Sequence, residues 1–191
     1  MIVCIVGYMA SGKSTVANIF KTKGFKIVEM GDIVREEMKR RGIEINSESV
    51  RAFSAKLRKE QGNAAVAKLT LKKIKNTKGN IAITGMRSLH EYNYFKKRLK
   101  DIKIIAVSAP ERMRFKRMLK RNKPDDPKTL SEFRKIEEKE RRGFATSKSE
   151  EKYGIDKVID NADFVIFNTS TQKALKEDVS NLIKTLKLEN K

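Results

Sequence analysis

Short runs of apolar residues alternate along this chain with longer segments in which apolar positions recur every three or four residues. The short runs hold many β-branched residues, which is typical of strands buried within a sheet. The longer segments have the period of amphipathic helices. Strands are predicted at residues 2–6, 25–30, 80–84, 102–108 and 164–168. Because helical segments separate them, we expect an α/β fold, a parallel sheet with helices on both faces.

The predicted helices end and begin at residues that commonly play these parts. Gly24 stands where the first helix stops, and Asn46 or Ser47 can cap a later one. Gly62-Asn63 divides the region from 46 to 78 into two helices. The remaining predicted helices are 14–23, 33–41, 88–100, 111–122, 129–142 and 171–186, and residues 143–155 are expected to form a loop.

The first predicted strand leads directly into Gly7-Tyr-Met-Ala-Ser-Gly-Lys-Ser, a complete G-x-x-x-x-G-K-S pattern. Glycines let such a loop turn tightly around an anion, while its amides and the positive end of the next helix attract phosphate oxygens. Lys13 can reach the β- and γ-phosphates, and the Ser14 hydroxyl can bind Mg²⁺. The sequence therefore predicts a nucleoside triphosphate site, with the Tyr8 side chain packing or flanking the acceptor. Its expected members are Gly7, Tyr8, Met9, Ala10, Ser11, Gly12, Lys13, Ser14 and Thr15.

The charge of the chain indicates anionic partners without choosing between them. The net charge is +20, from 44 Lys and Arg against 24 Asp and Glu. Nucleoside triphosphates, phosphorylated acceptors and RNA would all be attracted to such a surface. A surface crowded with Lys and Glu is also typical of heat-adapted proteins. The charge alone leaves both interpretations open.

The size of the chain and its few cysteines limit the class of protein. With 191 residues, a single domain spanning 1–191 is expected, with no room for two independent cores. No apolar run approaches the length of a membrane span, and the N-terminal run lacks the basic leader of a signal peptide. Cys4 is the single cysteine, so it forms no internal disulfide, and the lone His90 supports no metal cluster. We therefore expect a cytoplasmic protein that does not bind membranes.

The residues that follow the predicted strands resemble those of small P-loop kinases. Gly31-Asp32-Ile-Val-Arg35 follows the second strand, and Gly85-Met-Arg87 follows the third. The arrangement resembles the adenylate kinase and dephospho-CoA kinase branch, and within it an archaeal group of adenylate-kinase-related proteins. The resemblance implies a five-stranded sheet in the order 2-3-1-4-5, a helical segment at about 32–78 that covers the acceptor, and a small lid at about 121–145.

On the acceptor side, the resemblance gives roles to one aspartate and three arginines. Dephospho-CoA kinases have an aspartate at the place of Asp32, which could orient Mg²⁺ through water or accept the proton of a substrate hydroxyl. Arg35 matches an arginine that grips the acceptor phosphate. Arg87 matches a second acceptor-binding arginine, and Arg58 lies in the segment that covers the acceptor. Helix capping by Asp32 and solvated arginines are the plain alternatives. Thr84 departs from the pattern, because the family has an acidic residue there that holds Mg²⁺ through water.

On the lid side, the resemblance indicates arginines on both sides of a short polar break. Arg117 matches an arginine that lies against the adenine, and Arg121 matches one that contacts the phosphates. Asp125-Asp126 followed by Arg134 resembles the returning lid segment, where an arginine closes over the transferring phosphoryl group. A simple basic helix face is the competing interpretation of Arg117 and Arg121. The alternatives for the closing arginine are Arg141 and Arg142.

Three classes of function follow. The first is Mg²⁺-dependent phosphoryl transfer from ATP to a small anionic acceptor, phosphorylated or nucleotide-type, such as a nucleoside monophosphate or dephospho-CoA. The second is an ATPase that acts with RNA or in ribosome assembly, as some relatives of adenylate kinase do, although no RNA-binding module is visible. The third is a non-catalytic nucleotide-binding module, which Thr84 keeps open. The catalytic residues of the first class would be Lys13, Asp32, Arg121 and Arg134.

Overall fold

A parallel five-stranded sheet forms the centre of the computed structural model, which describes residues 1–122, 126–142 and 154–188. The strands are β1 (Ile2–Val6), β2 (Lys26–Glu29), β3 (Ile81–Thr84), β4 (Lys103–Ser108) and β5 (Phe164–Phe167). They lie in the order β2-β3-β1-β4-β5, and each neighbouring pair is parallel. The structure therefore confirms the predicted fold class and the strand order that the resemblance implied.

Helices connect the strands and cover both faces of the sheet. In the described part of the chain they are α1 (Lys13–Thr22), α2 (Met30–Arg40), α3 (Ser47–Gln61), α4 (Ala65–Ile74), α5 (Leu89–Arg98), α6 (Glu111–Arg121), α7 (Leu130–Arg142), α8 (Ile155–Asp160) and α9 (Gln172–Leu188). None of these helices is both long enough and apolar enough to cross a membrane.

The side chains of β1 alternate between the two faces of the sheet. Val3 and Ile5 belong to a buried cluster with residues of α1 and α9. Cys4 and Val6 face the other way and pack with residues of α2 to α5 and α8. Burial raises the pKa of the Cys4 thiol, which behaves here as a small apolar side chain. A strand that is apolar throughout is thus covered on both faces.

The parallel strands place all their carboxyl ends at one edge of the sheet. The first residues beyond these ends are Gly7, Met30, Gly85, Ala109 and Asn168. Ligands of open parallel sheets bind beyond this edge, so the fold brings the sequence motifs to the expected place.

The start of α2 differs from the prediction. β2 ends at Glu29 and α2 begins at Met30, so Gly31 and Asp32 lie in the first helical turn and Asp32 does not cap the helix. The expected cap of α3 is confirmed, because Asn46 Oδ1 accepts hydrogen bonds from the second and third amides of the helix at 3.1 and 2.9 Å.

Helix α8 was not predicted. Its first residue, Ile155, is the last residue of the loop predicted at residues 143–155. Residues 143–153 of that prediction lie outside the described residues. Only Ile155 and Val158 of α8 are buried. A helix of six residues is shorter than two turns, so its apolar positions form no readable period.

Candidate phosphate-binding site

The loop between β1 and α1 adopts backbone conformations that favour glycine. Gly7 has φ +148° and Gly12 has φ +106°. A side chain on Gly7 would collide with the carbonyl oxygen of Val107 in β4, so the loop and the sheet approach too closely for any other residue. Ala10 also lies at positive φ, +57°, which is uncommon for a residue with a side chain. This strained backbone belongs to the segment whose amides the motif assigns to phosphate.

The Lys13 side chain folds across the same loop. Its ammonium group donates to the carbonyl oxygens of Gly7 at 2.8 Å and Tyr8 at 2.7 Å. Ser14 and Thr15 are exposed in the first turn of α1, which contains no acidic residue. The positive end of the helix dipole therefore has no counter-charge from the first turn of α1 itself.

These groups suit a triphosphate accompanied by Mg²⁺. Within the described ranges, no group of three or more His, Cys, Asp or Glu side chains could hold a metal ion by itself. Mg²⁺ in nucleotide sites takes few protein ligands and relies on phosphate oxygens and water. The exposed Ser14 hydroxyl fits that pattern, and the buried Ser11 Oγ, which has no hydrogen-bond partner among the described residues, is a further polar atom of the loop.

The outer side of the loop is held by residues distant in sequence. Asn168, just beyond β5, donates from Nδ2 to the carbonyl of Ser11 at 2.8 Å. Arg117 of α6 donates to the backbone carbonyl of Asn168 at 2.7 Å and approaches the Ser11 carbonyl at 3.4 Å. The structure therefore places Arg117 beside the phosphate loop, with its guanidinium group on loop carbonyls. Its expected contact with adenine stays a prediction.

Tyr8 joins the phosphate loop to the helices that follow β4. Its hydroxyl donates to the Asp156 carboxylate of α8 at 2.7 Å. The guanidinium groups of Arg114 in α6 and Arg141 in α7 lie 5.2 and 5.0 Å from the centre of its ring, within cation–π range. Burial and the hydrogen bond to Asp156 raise the pKa of Tyr8, so its hydroxyl stays a donor. Packing is one of the two roles expected for Tyr8.

A buried ion pair lies behind Tyr8. Arg114 and Glu137 form two hydrogen bonds at 2.7 and 2.8 Å, and each side chain is only 4% exposed. Arg114 also donates to the carbonyl of Ala109 at 2.9 Å and approaches that of Met9 in the phosphate loop at 3.4 Å. The pair therefore connects α6, α7 and the phosphate loop. Sequence reasoning missed it, since Arg114 is one of several basic residues on α6.

On the acceptor side, Asp32 and Arg35 lie together in the first turns of α2. Arg35 donates to Asp32 Oδ1 through two nitrogens, at 3.1 and 2.5 Å. The same guanidinium group lies 3.6 Å from Glu29, at the carboxyl end of β2. Arg35 is therefore balanced by two carboxylates, of which Glu29 was not predicted. Glu29 of β2 pairs in the sheet with Thr84 of β3.

Arg58 and Arg87 are brought together around a buried carboxylate, that of Glu91. Glu91 is 1% exposed, accepts the backbone N–H of Arg87 at 2.9 Å and lies 3.6 Å from the Arg58 guanidinium group. Burial raises the pKa of Glu91, and the charge of Arg58 opposes this shift. Arg58 is 8% exposed, so the alternative of a solvated arginine is wrong for this residue. Arg87 is exposed.

The predicted lid arginines each have an acidic partner. Arg121 donates to Asp126 through two nitrogens, at 2.9 and 2.5 Å. Arg134 donates to Glu111 at 3.1 and 2.8 Å, and its side chain is 61% exposed. Asp125, the other acid of the expected lid turn, lies outside the described residues. The hydrogen bonds of Arg121 and Arg134 described here are with carboxylates. The predicted contacts of these two arginines with phosphate stay predictions.

Comparisons with known proteins identify the relatives of this chain. A family profile described as "AAA domain" matches residues 3–143. A UPF0200 protein of Pyrococcus horikoshii is 36% identical over 192 residues, which cover 96% of this chain and 98% of the relative. A UPF0200 protein of Thermococcus kodakarensis is 38% identical over 188 residues, which cover 96% of each chain.

A solved structure is similar in fold. A shikimate kinase from Bacteroides thetaiotaomicron has a TM-score of 0.60 and covers 98% of each chain, at 13% sequence identity. At this identity the similarity shows the fold alone, which is that of P-loop kinases.

Proposed function

The chain belongs to the UPF0200 protein family and carries an AAA domain with a P-loop kinase-like fold, and on that premise we propose that it is an ATP-dependent kinase. It belongs, in this proposal, to the adenylate kinase and dephospho-CoA kinase branch. Its acceptor is a small phosphorylated or nucleotide-type molecule, either a nucleoside monophosphate or dephospho-CoA. The observation that carries the proposal is the phosphate loop, with Lys13 held across it by the carbonyls of Gly7 and Tyr8.

The loop and Lys13 would bind and align the triphosphate. The amides of residues 7–14 and the positive end of the α1 dipole would stabilise negative charge that spreads over the γ-phosphoryl group during transfer. Ser14 would hold Mg²⁺, with Asp32 acting through water. When bound, Mg²⁺ neutralises charge on the β- and γ-phosphates.

The transfer forms one bond and breaks another. The acceptor oxygen attacks the γ-phosphorus, the bond from that phosphorus to the β–γ bridging oxygen breaks, and ADP leaves with the bridging oxygen. A hydroxyl acceptor must also lose a proton, which Asp32 would accept. The side chain of Asp32 is 59% exposed at the edge of the sheet where acceptors bind, which supports this role.

We propose that three arginines bind an anionic acceptor. Two of them lie in the segment at about 32–78, and the third follows the end of β3. Arg35 lies at the start of α2, while Arg58 and Arg87 flank Glu91. Glu91 accepts the backbone N–H of Arg87 and lies 3.6 Å from the Arg58 guanidinium group, so one carboxylate connects these two positions. Arginine suits this task because its planar fork matches the oxygens of a phosphate.

For the lid at about 121–145, we propose Arg121 as a phosphate contact and Arg134 or Arg141 as the closing arginine. Arg141 is the better supported of the two, because it lies over the Tyr8 ring, a side chain of the phosphate loop. It is also linked to Glu137 at 3.3 Å and Asp156 at 3.8 Å. Arg134, by contrast, is paired with Glu111 on α6.

The direct experiment is transfer of labelled phosphate from ATP to a panel of nucleoside monophosphates and dephospho-CoA. We expect one acceptor to become labelled by the wild type. Lys13→Ala should lower turnover at least about 100-fold, since it removes a charge that stabilises the transferring group. Lys21→Ala, which removes an exposed lysine from the same helix, is the matched control and should keep full activity. Full activity of the Lys13 variant would refute the proposal.

A second candidate is an ATPase that acts with RNA, which the net charge of +20 favours. The two functions differ in what stimulates ATP hydrolysis. Three results together would show the ATPase function: RNA stimulates turnover, no acceptor becomes labelled, and the stimulation declines steeply with salt. A non-catalytic module would show neither phosphate transfer nor ATP hydrolysis, and the wild type and Lys13→Ala would be equally inactive.

A further inference from the structure

We propose that Asn168, together with Arg117, is a positioning residue that aims the Gly12 amide at the phosphates of the nucleotide. The inference rests on the proposed function, because it concerns the same phosphate loop. Asn168 follows β5, and 157 positions separate it from Ser11, whose carbonyl it contacts. No part of the G-x-x-x-x-G-K-S pattern refers to it.

Asn168 uses nearly all its polar groups and is only 7% exposed. Its Nδ2 donates to the Ser11 carbonyl at 2.8 Å, and its backbone N–H donates to the Ser108 carbonyl at the end of β4 at 2.8 Å. Its Oδ1 and its backbone carbonyl both accept from Arg117, at 3.2 and 2.7 Å. Asn168 is therefore fixed by the sheet on one side and fixes the loop on the other.

The hydrogen bonds of Asn168 and Arg117 reach the phosphate loop at the Ser11 carbonyl. Besides Asn168, the guanidinium group of Arg117 approaches the same oxygen at 3.4 Å. The peptide between Ser11 and Gly12 is planar and trans, so its C=O and the Gly12 N–H point in opposite directions. A carbonyl directed outward to Asn168 therefore turns the Gly12 N–H inward, where the loop amides meet an anion.

The glycine at position 12 and Asn168 are sterically matched. Gly12 has φ +106°, and a side chain there would collide with Nδ2 of Asn168. The close approach that the hydrogen bond to Ser11 requires is thus available only with glycine at this position. The glycine of the motif serves the contact behind the loop as well as the turn.

An amide that is already aligned loses little freedom when a phosphate binds, so its alignment contributes to affinity. The effect depends on the phosphate chain and not on the base. Loss of the hydrogen bond from Asn168 to Ser11 should therefore weaken the binding of ATP and of inorganic tripolyphosphate by the same factor. Loss of a contact with adenine would weaken the binding of ATP alone.

The test is the affinity of purified protein for ATP and for tripolyphosphate, each with Mg²⁺, by titration calorimetry. Asn168→Asp keeps the shape of the side chain but removes the donor to Ser11. We expect both ligands to bind about tenfold more weakly, the effect of one ordinary hydrogen bond. Asn181→Asp, an exposed position on α9, makes the same charge change and should leave both affinities unchanged. In NMR spectra, the Gly12 amide proton should shift on tripolyphosphate binding in the wild type and shift less in Asn168→Asp.

Each outcome of this experiment decides something. Unchanged affinities and an unchanged Gly12 shift in folded Asn168→Asp would overturn the inference and leave the proposed function intact. An equal loss in Asn181→Asp would also overturn it, since the effect would then be one of general charge. A wild type that binds neither ligand would overturn the proposed function and, with it, the inference. If Asn168→Asp does not fold, Asn168→Ala, which removes the same donor without adding charge, replaces it in the same measurements.

Discussion

At the scale of single residues, Asp32 distinguishes the two kinds of acceptor. A hydroxyl acceptor needs a group that takes its proton, whereas a phosphate acceptor does not. With a hydroxyl acceptor, we expect Asp32→Asn to lower kcat about 100-fold or more, the usual effect of removing a general base. With a phosphate acceptor, kcat should fall by less than about tenfold.

The control for this prediction is Asp101→Asn, which removes an exposed carboxylate from the turn before β4 and should leave kcat unchanged. A hydroxyl acceptor whose phosphorylation is insensitive to Asp32→Asn would contradict the role of Asp32. The measurement is kcat with saturating ATP and acceptor for each variant.

A sequence signal is strongest where the contacts of a site residue lie close to it in the chain. The phosphate loop and Lys13 form one continuous segment, so their arrangement is encoded locally. Arg114 and Glu137 are 23 residues apart, and Asn168 is 157 residues from Ser11. A contact between distant segments depends on how the sheet brings them together, and one sequence carries no local signal for it.

At the scale of elements, α2 contains a carboxylate that links stability to pH. Glu37 accepts hydrogen bonds from Arg40 and Arg41 of the same helix end, which lower its pKa from 4.5 to about 2. Between these values the unfolded chain binds a proton at Glu37 and the folded protein does not. The free energy of unfolding should therefore fall as the pH falls from 4.5 to about 2.

Urea unfolding at several pH values measures this effect. At neutral pH, Glu37→Gln should be less stable than the wild type, and the difference should shrink towards pH 2. Glu36→Gln removes a carboxylate from the same helix and is the charge-matched comparison. A difference between wild type and Glu37→Gln that stays constant over this range would contradict the assignment.

The buried pair of Arg114 and Glu137 joins α6 to α7 and predicts strong coupling between them. Glu137→Leu leaves the Arg114 charge buried without its main partner and should lower the free energy of unfolding by about 3–5 kcal/mol. The double variant Arg114→Met, Glu137→Leu should recover much of this loss, because no buried charge remains.

Equilibrium unfolding in urea again provides the measurement. Glu138→Leu, at an exposed position one residue further along α7, should change stability by no more than about 0.5 kcal/mol. A loss of less than about 1 kcal/mol for Glu137→Leu would show that the pair does not hold the two helices together.

The elements themselves were predictable wherever their apolar period extended over enough residues. All five strands differ from their predicted bounds by at most one residue at either end. Helix α8 was missed because its six residues are too few to show a period. The start of α2 was misplaced because Gly31 and Asp32 are poor helix formers, yet β2 passes directly into the helix. Tertiary packing overrides local preference at that boundary.

At the scale of the whole molecule, the parallel sheet gathers groups from distant parts of the chain at one edge. The phosphate loop, the Asp32–Arg35 pair and the Arg58–Glu91–Arg87 cluster all lie beyond or next to strand ends there. The net charge of +20 favours anionic ligands of the molecule as a whole without identifying them. The fold thus places the groups of the proposed phosphate site at one edge of the sheet.

We propose that the loop at residues 7–14 binds the triphosphate. A crystal structure of the wild type with ATP and Mg²⁺ tests it most directly. We predict the β- and γ-phosphates within hydrogen-bond distance of the loop amides and of Lys13 Nζ, with Mg²⁺ on the Ser14 hydroxyl. ATP at full occupancy whose triphosphate lies anywhere else on the protein would show that this loop is not the triphosphate site.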